Sequence, residues 1–287
     1  MLESYLNGLK MKKVGILFHP LKEAAQTLAR ELDEFLTSKG LTVWLQSAWE
    51  AEKARAKISR TDLILSIGGD GTILRAAQLV VHSSIPIVGI NLGQLGFMTE
   101  LTVSETRDKL PELLEGKGWI DERSLLELEL SPGEGQAPRS FYALNDVVVA
   151  RGAVARVIYI EAAINGEPLT TYKADGVVVS TATGSTGYAL AAGGPILQPQ
   201  AKELLLVPIL PHLTLSYPLV LPSTAIVKLH VNPTYPATLS IDGHINMPVS
   251  DNAALSVKHS SKKVRFLRIH PEDSFYSSLE RKLKGRQ

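Results

Sequence analysis

The sequence predicts an α/β domain, built on a doubly wound parallel sheet, followed by a mostly antiparallel β domain. Three observations lead to this prediction. Apolar strands alternate with helical patterns up to about residue 123, the helical period nearly vanishes after it, and it returns in the last segment. Near-continuous apolar strands separated by helices are typical of a parallel sheet covered on both faces. We therefore assign residues 1–123 and 270–287 to the α/β domain and residues 124–269 to the β domain.

The α/β domain opens with a predicted strand at residues 14–18, and apolar residues at helical spacing follow it. Gly40 ends this helix, and the next strand covers residues 41–45. Further strands are predicted at residues 63–67 and 85–90. The apolar residues that define the first helix are Leu21, Ala25, Leu28, Leu32, Phe35 and Leu36.

The β domain is predicted from short apolar or alternating segments separated by turn residues. Pro132 to Gly135, Asn165–Gly166 and Asp242–Gly243 are the candidate turns. Ser274 is a candidate N-cap of a last helix, residues 274–283, which we expect to pack on the first domain. The strands are expected at residues 124–130, 141–150, 156–164, 176–181, 225–231, 238–242, 255–259 and 264–269.

The most informative segment is Gly-Gly-Asp-Gly-Thr, residues 68–72, between the strand at 63–67 and a helix expected from about Thr72 to Val80. Glycines allow a sharp turn and a close approach of backbone amides to phosphate oxygens, and the start of a helix favours anions. The phosphate-binding candidates are Gly68, Gly69, Gly71 and Thr72. A lone carboxylate there, Asp70, suits a residue that orients a hydroxyl nucleophile or helps to hold Mg²⁺. The structural alternative is a tight turn in which Asp70 caps the helix.

A second Gly-rich element follows in the β domain. It comprises Asp175–Gly176, then Thr-Ala-Thr-Gly-Ser-Thr-Gly-Tyr at residues 181–188 and Gly193–Gly194. Small hydroxyl residues and glycines form a surface that a base or a ribose can approach, and Tyr188 can stack on a ring. A Ser/Thr-rich loop leading into a helix is the structural alternative.

Asn145–Asp146 interrupts an otherwise apolar strand. Buried polar groups need partners, so either a ligand or the backbone of a turn must satisfy these two side chains.

The composition of the chain limits its partners, location and metal sites only modestly. With 287 residues and a net charge of +1, the chain gives no reason to expect nucleic acid or an acidic membrane as its partner. It has no cysteine, which fits a cytoplasmic location, and residues 1–13 lack the apolar core of a signal peptide. The longest apolar stretch, residues 204–210, is too short to span a bilayer. The basic residues near the end fit a solvated face, and the seven histidines lack zinc spacing. No metal site built from protein ligands is expected.

Taken together, these motifs resemble the NAD kinases, which phosphorylate the adenosine ribose 2′-hydroxyl of NAD to give NADP. The resemblance rests on residues 68–72, on Asn-Leu-Gly-Gln-Leu-Gly-Phe-Met-Thr at residues 91–99, on Asn145–Asp146 and on residues 175–188. It covers nearly the whole chain. It implies an α/β domain, a β-sandwich-like domain and a returning C-terminal helix. It also implies ATP as phosphoryl donor, Mg²⁺ carried with the nucleotide, and a homo-oligomer in which a neighbouring subunit completes the site.

The resemblance also implies roles for individual residues. Asp70 matches the proposed general base toward the 2′-hydroxyl. A carboxylate is a weak base toward a ribose hydroxyl, so Asp70 can orient the hydroxyl more than deprotonate it. Three positions depart from the usual family residues: Ala182 stands for proline, Gly187 for alanine and His244 for glutamine. The predicted NAD-binding residues are Asp70, Gly71, Arg75, Asn145, Asp146, Arg156, Lys173, Asp175, Thr186, Gly187, Tyr188, Ala189, Leu190, Ala191 and His244.

Two other functions stay open at this point. Diacylglycerol- and sphingosine-kinase-like enzymes share the Gly-Gly-Asp-Gly-Thr motif, but their lipid substrates need an apolar entry that the sequence does not show. A noncatalytic NAD(P)-binding sensor would keep the Gly-rich surfaces and lose Asp70. The sequence leaves open the donor (ATP, another nucleotide or polyphosphate), the preference between NAD and NADH, feedback regulation, and whether the assembly is a dimer or a tetramer.

Overall fold

The computed structural model describes residues 11–93, 96–131, 137–153, 156–212, 216–231, 236–249, 253–272 and 274–284. Two predictions, the turn at residues 132–135 and the N-cap side chain of Ser274, lie outside this description, as do Gln94 and Leu95 of the family motif. The chain divides into two compact units, Met1–Glu122 with Val264–Gln287, and Arg123–Lys263. The returning segment thus begins at Val264 and not at the predicted residue 270, because Phe266 pairs with Ile87 in the sheet of the first unit.

The elements of the first unit are β1 (Lys13–Phe18), α1 (Glu23–Ser38), β2 (Thr42–Ser47), α2 (Ala51–Lys57), β3 (Leu63–Ile67), α3 (Asp70–Val80), β4 (Ile87–Asn91), β5 (Leu101–Thr102), α4 (Val103–Leu114) and the start of β6 (Trp119–Ser131). Four of the strands form a parallel sheet in the order β2–β1–β3–β4. All residues of β3 and β4 are buried, as predicted for strands covered on both faces.

Helix α1 packs its apolar face into the core of this unit. Leu28, Leu32 and Leu36, which repeat at four-residue intervals, are all at most 7% exposed. Leu21, which the helical spacing included, lies before the helix and is 84% exposed, so that part of the prediction was wrong. The chain leaves α1 through Gly40, whose φ of +81° is accessible mainly to glycine.

The second unit is built from antiparallel strands, as predicted. Its elements are the rest of β6, then β7 (Arg139–Ala143), β8 (Asp146–Arg151), β9 (Ile158–Ile164), β10 (Glu167–Ala174), β11 (Gly176–Ser180), α5 (Tyr188–Ala191), β12 (Leu204–Ile209), β13 (Leu219–Leu221), β14 (Ile226–Val231), β15 (Ala237–Ile241), β16 (Ile245–Val249) and most of β17 (Ala254–Arg268). One sheet has the order β13–β12–β11–β8–β15–β16, and a second sheet has the order β10–β9–β14–β17. The last helix, α6 (Ser274–Lys284), belongs to the first unit.

The two sheets of the second unit share one hydrophobic core. Val149 and Val179 of the first sheet belong to the same buried cluster as Ile160 and Val227 of the second. Side chains that interdigitate between two sheets are the feature of a β-sandwich.

Two strand predictions in the second unit need correction. The predicted strand at residues 141–150 is two strands, β7 and β8, because the backbone amides at Leu144 and Asn145 bind a side chain instead of a neighbouring strand. The strands predicted at residues 255–259 and 264–269 form one continuous strand, β17. The predicted hairpin turns are confirmed: Asn165–Gly166 has φ values of 53° and 90°, and Asp242–Gly243 has 50° and 67°.

Candidate active site

The Gly-rich turn lies at the carboxyl end of β3. Gly68 has a φ of +157°, and a Cβ there would lie 2.2 Å from Thr72 Oγ1, so both its backbone and its surroundings require glycine. Apart from chain neighbours and the backbone of α3, no atom of the described residues lies within 4 Å of a Cβ placed on Gly69 or on Gly71. The outer face of the turn is therefore open at the backbone of these two glycines.

Thr72 closes the turn from the inside. Its side chain is 1% exposed, and its N–H donates to the carbonyl of Gly69 at 2.9 Å. Helix α3 begins at Asp70, two residues before the predicted Thr72.

Asp70 does not cap its own helix, so the structural alternative for this residue was wrong. Gly69 occupies the N-cap position, and the Asp70 carboxylate turns to the loop that follows β4. The Phe97 N–H donates to Oδ2 at 3.0 Å, and the Met98 N–H donates to Oδ1 at 3.1 Å. Two backbone donors thus fix the orientation of a half-buried carboxylate, which leaves its remaining lone pairs for a ligand.

Trp49 contacts two other side chains, Arg75 and His19, at the same edge of the sheet. The Arg75 guanidinium carbon lies 4.3 Å from the centre of the Trp49 ring, and the His19 ring centre lies 4.6 Å from that of Trp49. Burial lowers the pKa of Arg75, and burial followed by the charge of Lys22 lowers the pKa of His19. Sequence analysis did not find His19 or Trp49, because single His and Trp residues after strands carry no motif.

In the second unit, Asp242 organises the Asn145–Asp146 pair. Its Oδ2 accepts from the Leu144 N–H at 2.9 Å, and its Oδ1 accepts from the amides of Asn145 and Asp146 at 2.7 and 3.3 Å. The backbone of this pair is therefore held by a side chain almost a hundred residues further along the chain, which sequence analysis did not assign. Asn145 Oδ1 is buried and has no hydrogen-bond partner among the described residues.

The Asp146 carboxyl has an unusual acidity. Burial, followed by the nearby negative charge of Asp242, raises its pKa to about 7. Near neutral pH, Asp146 therefore exists in both protonation states and can either donate or accept a hydrogen bond.

The second Gly-rich element packs against Asn145. A Cβ on Gly184 would lie 2.2 Å from the Asn145 carbonyl oxygen, so this glycine permits close contact of two backbone segments. A Cβ on Gly187 would lie 3.4 Å from Asn145 Nδ2 and 3.8 Å from Asp146 Oδ2. The start of the predicted run at residues 186–191 thus lies beside the Asn–Asp pair. In this run Tyr188 is 46% exposed, whereas Thr186 and Ala189 are buried.

The structure gives fewer contacts with the Asn145–Asp146 pair for the remaining predicted residues of the second unit. His244 lies in the turn between β15 and β16, with Nδ1 3.0 Å from the Asp242 carbonyl oxygen, so it is near the residue that holds Asn145. Asp175 pairs with Arg151 at 3.0 Å, and Lys173 lies within the strand β10, where its carbonyl accepts from the His212 N–H. Arg156 is exposed just before β9. These contacts give Asp175 a structural partner and leave the roles of Lys173 and Arg156 as predictions.

A carboxylate that two amides orient beside an open glycine turn can hold a hydroxyl next to a bound phosphate, which is the task of a phosphotransferase. Two family models match the chain, the ATP-NAD kinase N-terminal domain over residues 14–118 and the ATP-NAD kinase C-terminal domain over residues 144–269. The chain belongs to the NAD kinase family.

Curated relatives agree with this assignment. An NAD kinase of Dehalococcoides mccartyi is 55% identical over 274 residues, which cover 96% of each chain. An NAD kinase of Chloroflexus aurantiacus is 38% identical over 274 residues, covering 96% of this chain and 99% of the relative.

Two solved structures share the fold. A yeast NADH kinase in complex with NADH has a TM-score of 0.86 at 24% identity, covering 96% of this chain and 89% of its own. An NAD kinase of Archaeoglobus fulgidus in complex with ATP has a TM-score of 0.75 at 23% identity, covering 95% and 99%. In the part of the chain that the structure describes, no helix is long and apolar enough to cross a membrane, and no three His, Asp or Glu side chains cluster as metal ligands.

Proposed function

We propose that this chain transfers the γ-phosphoryl group of ATP to the 2′-hydroxyl of the adenosine ribose of NAD, which gives NADP and ADP. Membership in the NAD kinase family supports the reaction. The observation that carries the proposal for the site is the Asp70 carboxylate, which two amides orient beside the open turn at Gly69 and Gly71.

Asp70 accepts a hydrogen bond from the ribose 2′-hydroxyl and orients its oxygen toward the phosphorus. In a loose transition state for phosphoryl transfer, catalysis is mostly positioning and charge neutralisation, and the proton leaves the hydroxyl late. A carboxylate that is held in place from behind suits this task, because its orientation does not have to be fixed when the substrate binds.

The open face of the Gly-rich turn receives phosphate oxygens at the backbone of Gly69 and Gly71, with the start of α3 adding partial positive charge. Gly68 and Thr72 shape the turn. Asp70 is the carboxylate of this turn and retains free lone pairs, which fits Mg²⁺ held by one carboxylate and the substrate phosphates. Mg²⁺, when bound with the triphosphate, neutralises the negative charge of the phosphate groups.

NAD binds at the Asn145–Asp146 pair. The buried Asn145 Oδ1 has no partner among the described residues and would accept a hydrogen bond from the dinucleotide. Asp146 Oδ2 lies near Gly187, so a ribose hydroxyl or a base edge can reach both side chains across a residue without a side chain. The other residues proposed to contact NAD are Gly71, Arg75, Arg156, Lys173, Asp175, Thr186, Gly187, Tyr188, Ala189, Leu190, Ala191 and His244.

We propose a homo-oligomer, dimer or tetramer, in which subunits share active sites. We also propose that the enzyme acts in the cytoplasm, which the lack of cysteine supports. The homo-oligomer rests on the family resemblance and is tested by subunit exchange, and the location is tested by localisation of the chain.

The function is tested with one donor and acceptor panel. ATP, another nucleoside triphosphate and polyphosphate are combined with NAD, NADH, a diacylglycerol and sphingosine, each with Mg²⁺ and with EDTA. NADP formation from NAD that needs Mg²⁺ supports the proposal, and phosphorylation of a lipid without NADP formation refutes it. The Asp70→Asn variant keeps the shape of the side chain and should lower kcat by about a hundredfold. Wild-type turnover in that variant would refute the role of Asp70.

A further inference from the structure

The loop that orients Asp70 is itself held from the opposite side. Met98 donates its N–H to Asp70 Oδ1 at 3.1 Å, and its carbonyl oxygen accepts from Arg268 Nη1 at 2.9 Å. The two backbone groups of one residue therefore connect a guanidinium near the end of the chain to the catalytic carboxylate.

Arg268 is fixed by two buried carboxylates. Its Nη1 also donates to Glu100 Oε2, and its Nε donates to Asp121 Oδ2, both at 3.1 Å. Arg268, Glu100 and Asp121 are 5%, 7% and 1% exposed. A guanidinium is planar and its N–H directions are rigid, so these contacts determine where the Met98 carbonyl can lie.

The residues that follow Arg268 also bind the end of this loop, at Glu100. Glu100 Oε1 accepts from the amides of Ile269 and His270, both at 2.8 Å, and the Glu100 N–H donates to the Gly89 carbonyl at 2.8 Å. The position of the Phe97–Met98 amides therefore depends on Arg268 and Glu100, although neither side chain contacts Asp70 in the described hydrogen bonds.

We propose that Arg268 is a positioning residue, which places Met98 and through it the Asp70 carboxylate for phosphoryl transfer. The inference rests on the proposed role of Asp70. A purely structural role would be complete with the two carboxylate partners. Arg268 also donates to the carbonyl of Met98, and the N–H of Met98 donates to Asp70. This additional hydrogen bond links Arg268 to the site. Misplacement of a reacting group by about 1 Å can lower a rate by about a hundredfold, so even a small shift of Met98 is measurable.

The test replaces Arg268 with lysine, which keeps the charge but cannot reach both carboxylates and the Met98 carbonyl with one planar fork. The matched control is Arg265→Lys on the same strand, where Arg265 Nε pairs with Glu122 at 3.1 Å in a more exposed setting. We expect kcat to fall about tenfold or more in Arg268→Lys, with the KM for NAD within about threefold of wild type. In Arg265→Lys, kcat should stay within about twofold.

A double-mutant cycle separates positioning from general destabilisation. In the Asp70→Asn background, Arg268→Lys should change kcat by less than about twofold, because the carboxylate it positions is gone. The same tenfold loss in that background, or a folded Arg268→Lys enzyme with wild-type kcat, would overturn the proposal. If Arg268→Lys does not fold, Glu100→Gln replaces it in the cycle with the same expectations.

Hydrogen exchange supplies a measurement that does not need activity. Exchange in the segment 96–99 should be faster in Arg268→Lys than in wild type and unchanged in Arg265→Lys. Unchanged exchange of this segment in Arg268→Lys overturns the inference, whether or not the wild type makes NADP. Absence of NADP from the wild type, with faster exchange in the variant, refutes the proposed function and leaves the link between Arg268 and Met98 standing.

Discussion

Replacement of Gly96 by alanine perturbs the Asp70 carboxylate without touching it chemically. A Cβ on Gly96 would lie 2.3 Å from Asp70 Oδ1 and 2.9 Å from its Cγ. A contact this short requires a relative movement of the new methyl group and the carboxylate.

The size of this movement follows from the contact distance. Carbon–oxygen contacts normally settle near about 3.3 Å, so the carboxylate and the methyl group must separate by about 1 Å. This displacement is as large as one that typically lowers a rate by about a hundredfold, which corresponds to about 2.7 kcal/mol of barrier. The cost in folding free energy is that of local overpacking, about 1–3 kcal/mol.

Initial rates of NADP formation at saturating ATP check this prediction. We expect kcat of Gly96→Ala to fall between about thirtyfold and a hundredfold, while the KM for NAD changes much less. The matched control is Gly93→Ala in the same loop, since no atom of the described residues lies within 4 Å of a Cβ on Gly93. Its kcat should remain within about twofold of wild type.

A folded Gly96→Ala enzyme with wild-type kcat would refute the reasoning, because it would show that Asp70 tolerates displacement. An equal loss in Gly93→Ala would show that the loop responds to any added methyl group, and the contact with Asp70 would then explain nothing.

Three further predictions concern the second unit and the assembly. The pKa of Asp146 is raised from 3.8 to about 7, so its protonated form stabilises the fold fully below pH 3.8, and this contribution is lost as pH rises to 7. In denaturant unfolding, the free energy of unfolding of the wild type should therefore fall by a few kcal/mol relative to that of Asp146→Asn between pH 4 and pH 8. The same pH dependence in both proteins would contradict the raised pKa. Asn145→Ala should raise the KM for NAD about tenfold with kcat little changed in initial-rate assays, and a fall in kcat at unaltered KM would assign Asn145 to the chemistry. Inactive Asp70→Asn and Asp175→Ala chains, mixed under conditions of subunit exchange, should regain part of the activity, and no recovery after demonstrated exchange would show that each chain builds its own site.

The local part of the site could be predicted from the sequence. The buried strand β3, the positive φ of Gly68 and the helix after it depend on residues within one segment of the chain. The hairpin turns at Asn165–Gly166 and Asp242–Gly243 are predictable for the same reason, because the turn needs residues that adopt a positive φ.

The partners of the key side chains could not be predicted, because they come from distant segments. Asp70 binds amides 27 and 28 residues further on, and Asp242 binds amides 96–98 residues before it. Every residue except proline has a backbone N–H, so the sequence does not show that Phe97 and Met98 supply the donors to Asp70. The break between β7 and β8 could not be predicted for the same reason, since it depends on the distant Asp242 side chain, which accepts from the amides of Leu144 and Asn145.

The position of the returning segment shows a similar limit. The last helix was predicted from its own spacing, but Arg268 and Phe266 looked like part of an ordinary strand of the β domain. Their place in the first unit depends on pairing with β4 and on buried partners more than a hundred residues away.

The measurement that tests the central claim most directly is the identity of the product made from NAD and ATP. Purified wild-type chain is incubated with Mg²⁺, ATP and NAD, and the product is examined by ³¹P NMR and with a dehydrogenase specific for NADP. We predict a dinucleotide with one new phosphate on the adenosine ribose 2′-oxygen, fully active with that dehydrogenase, and little product with Asp70→Asn. A product phosphorylated at another oxygen, or none from a folded wild-type enzyme, would contradict it.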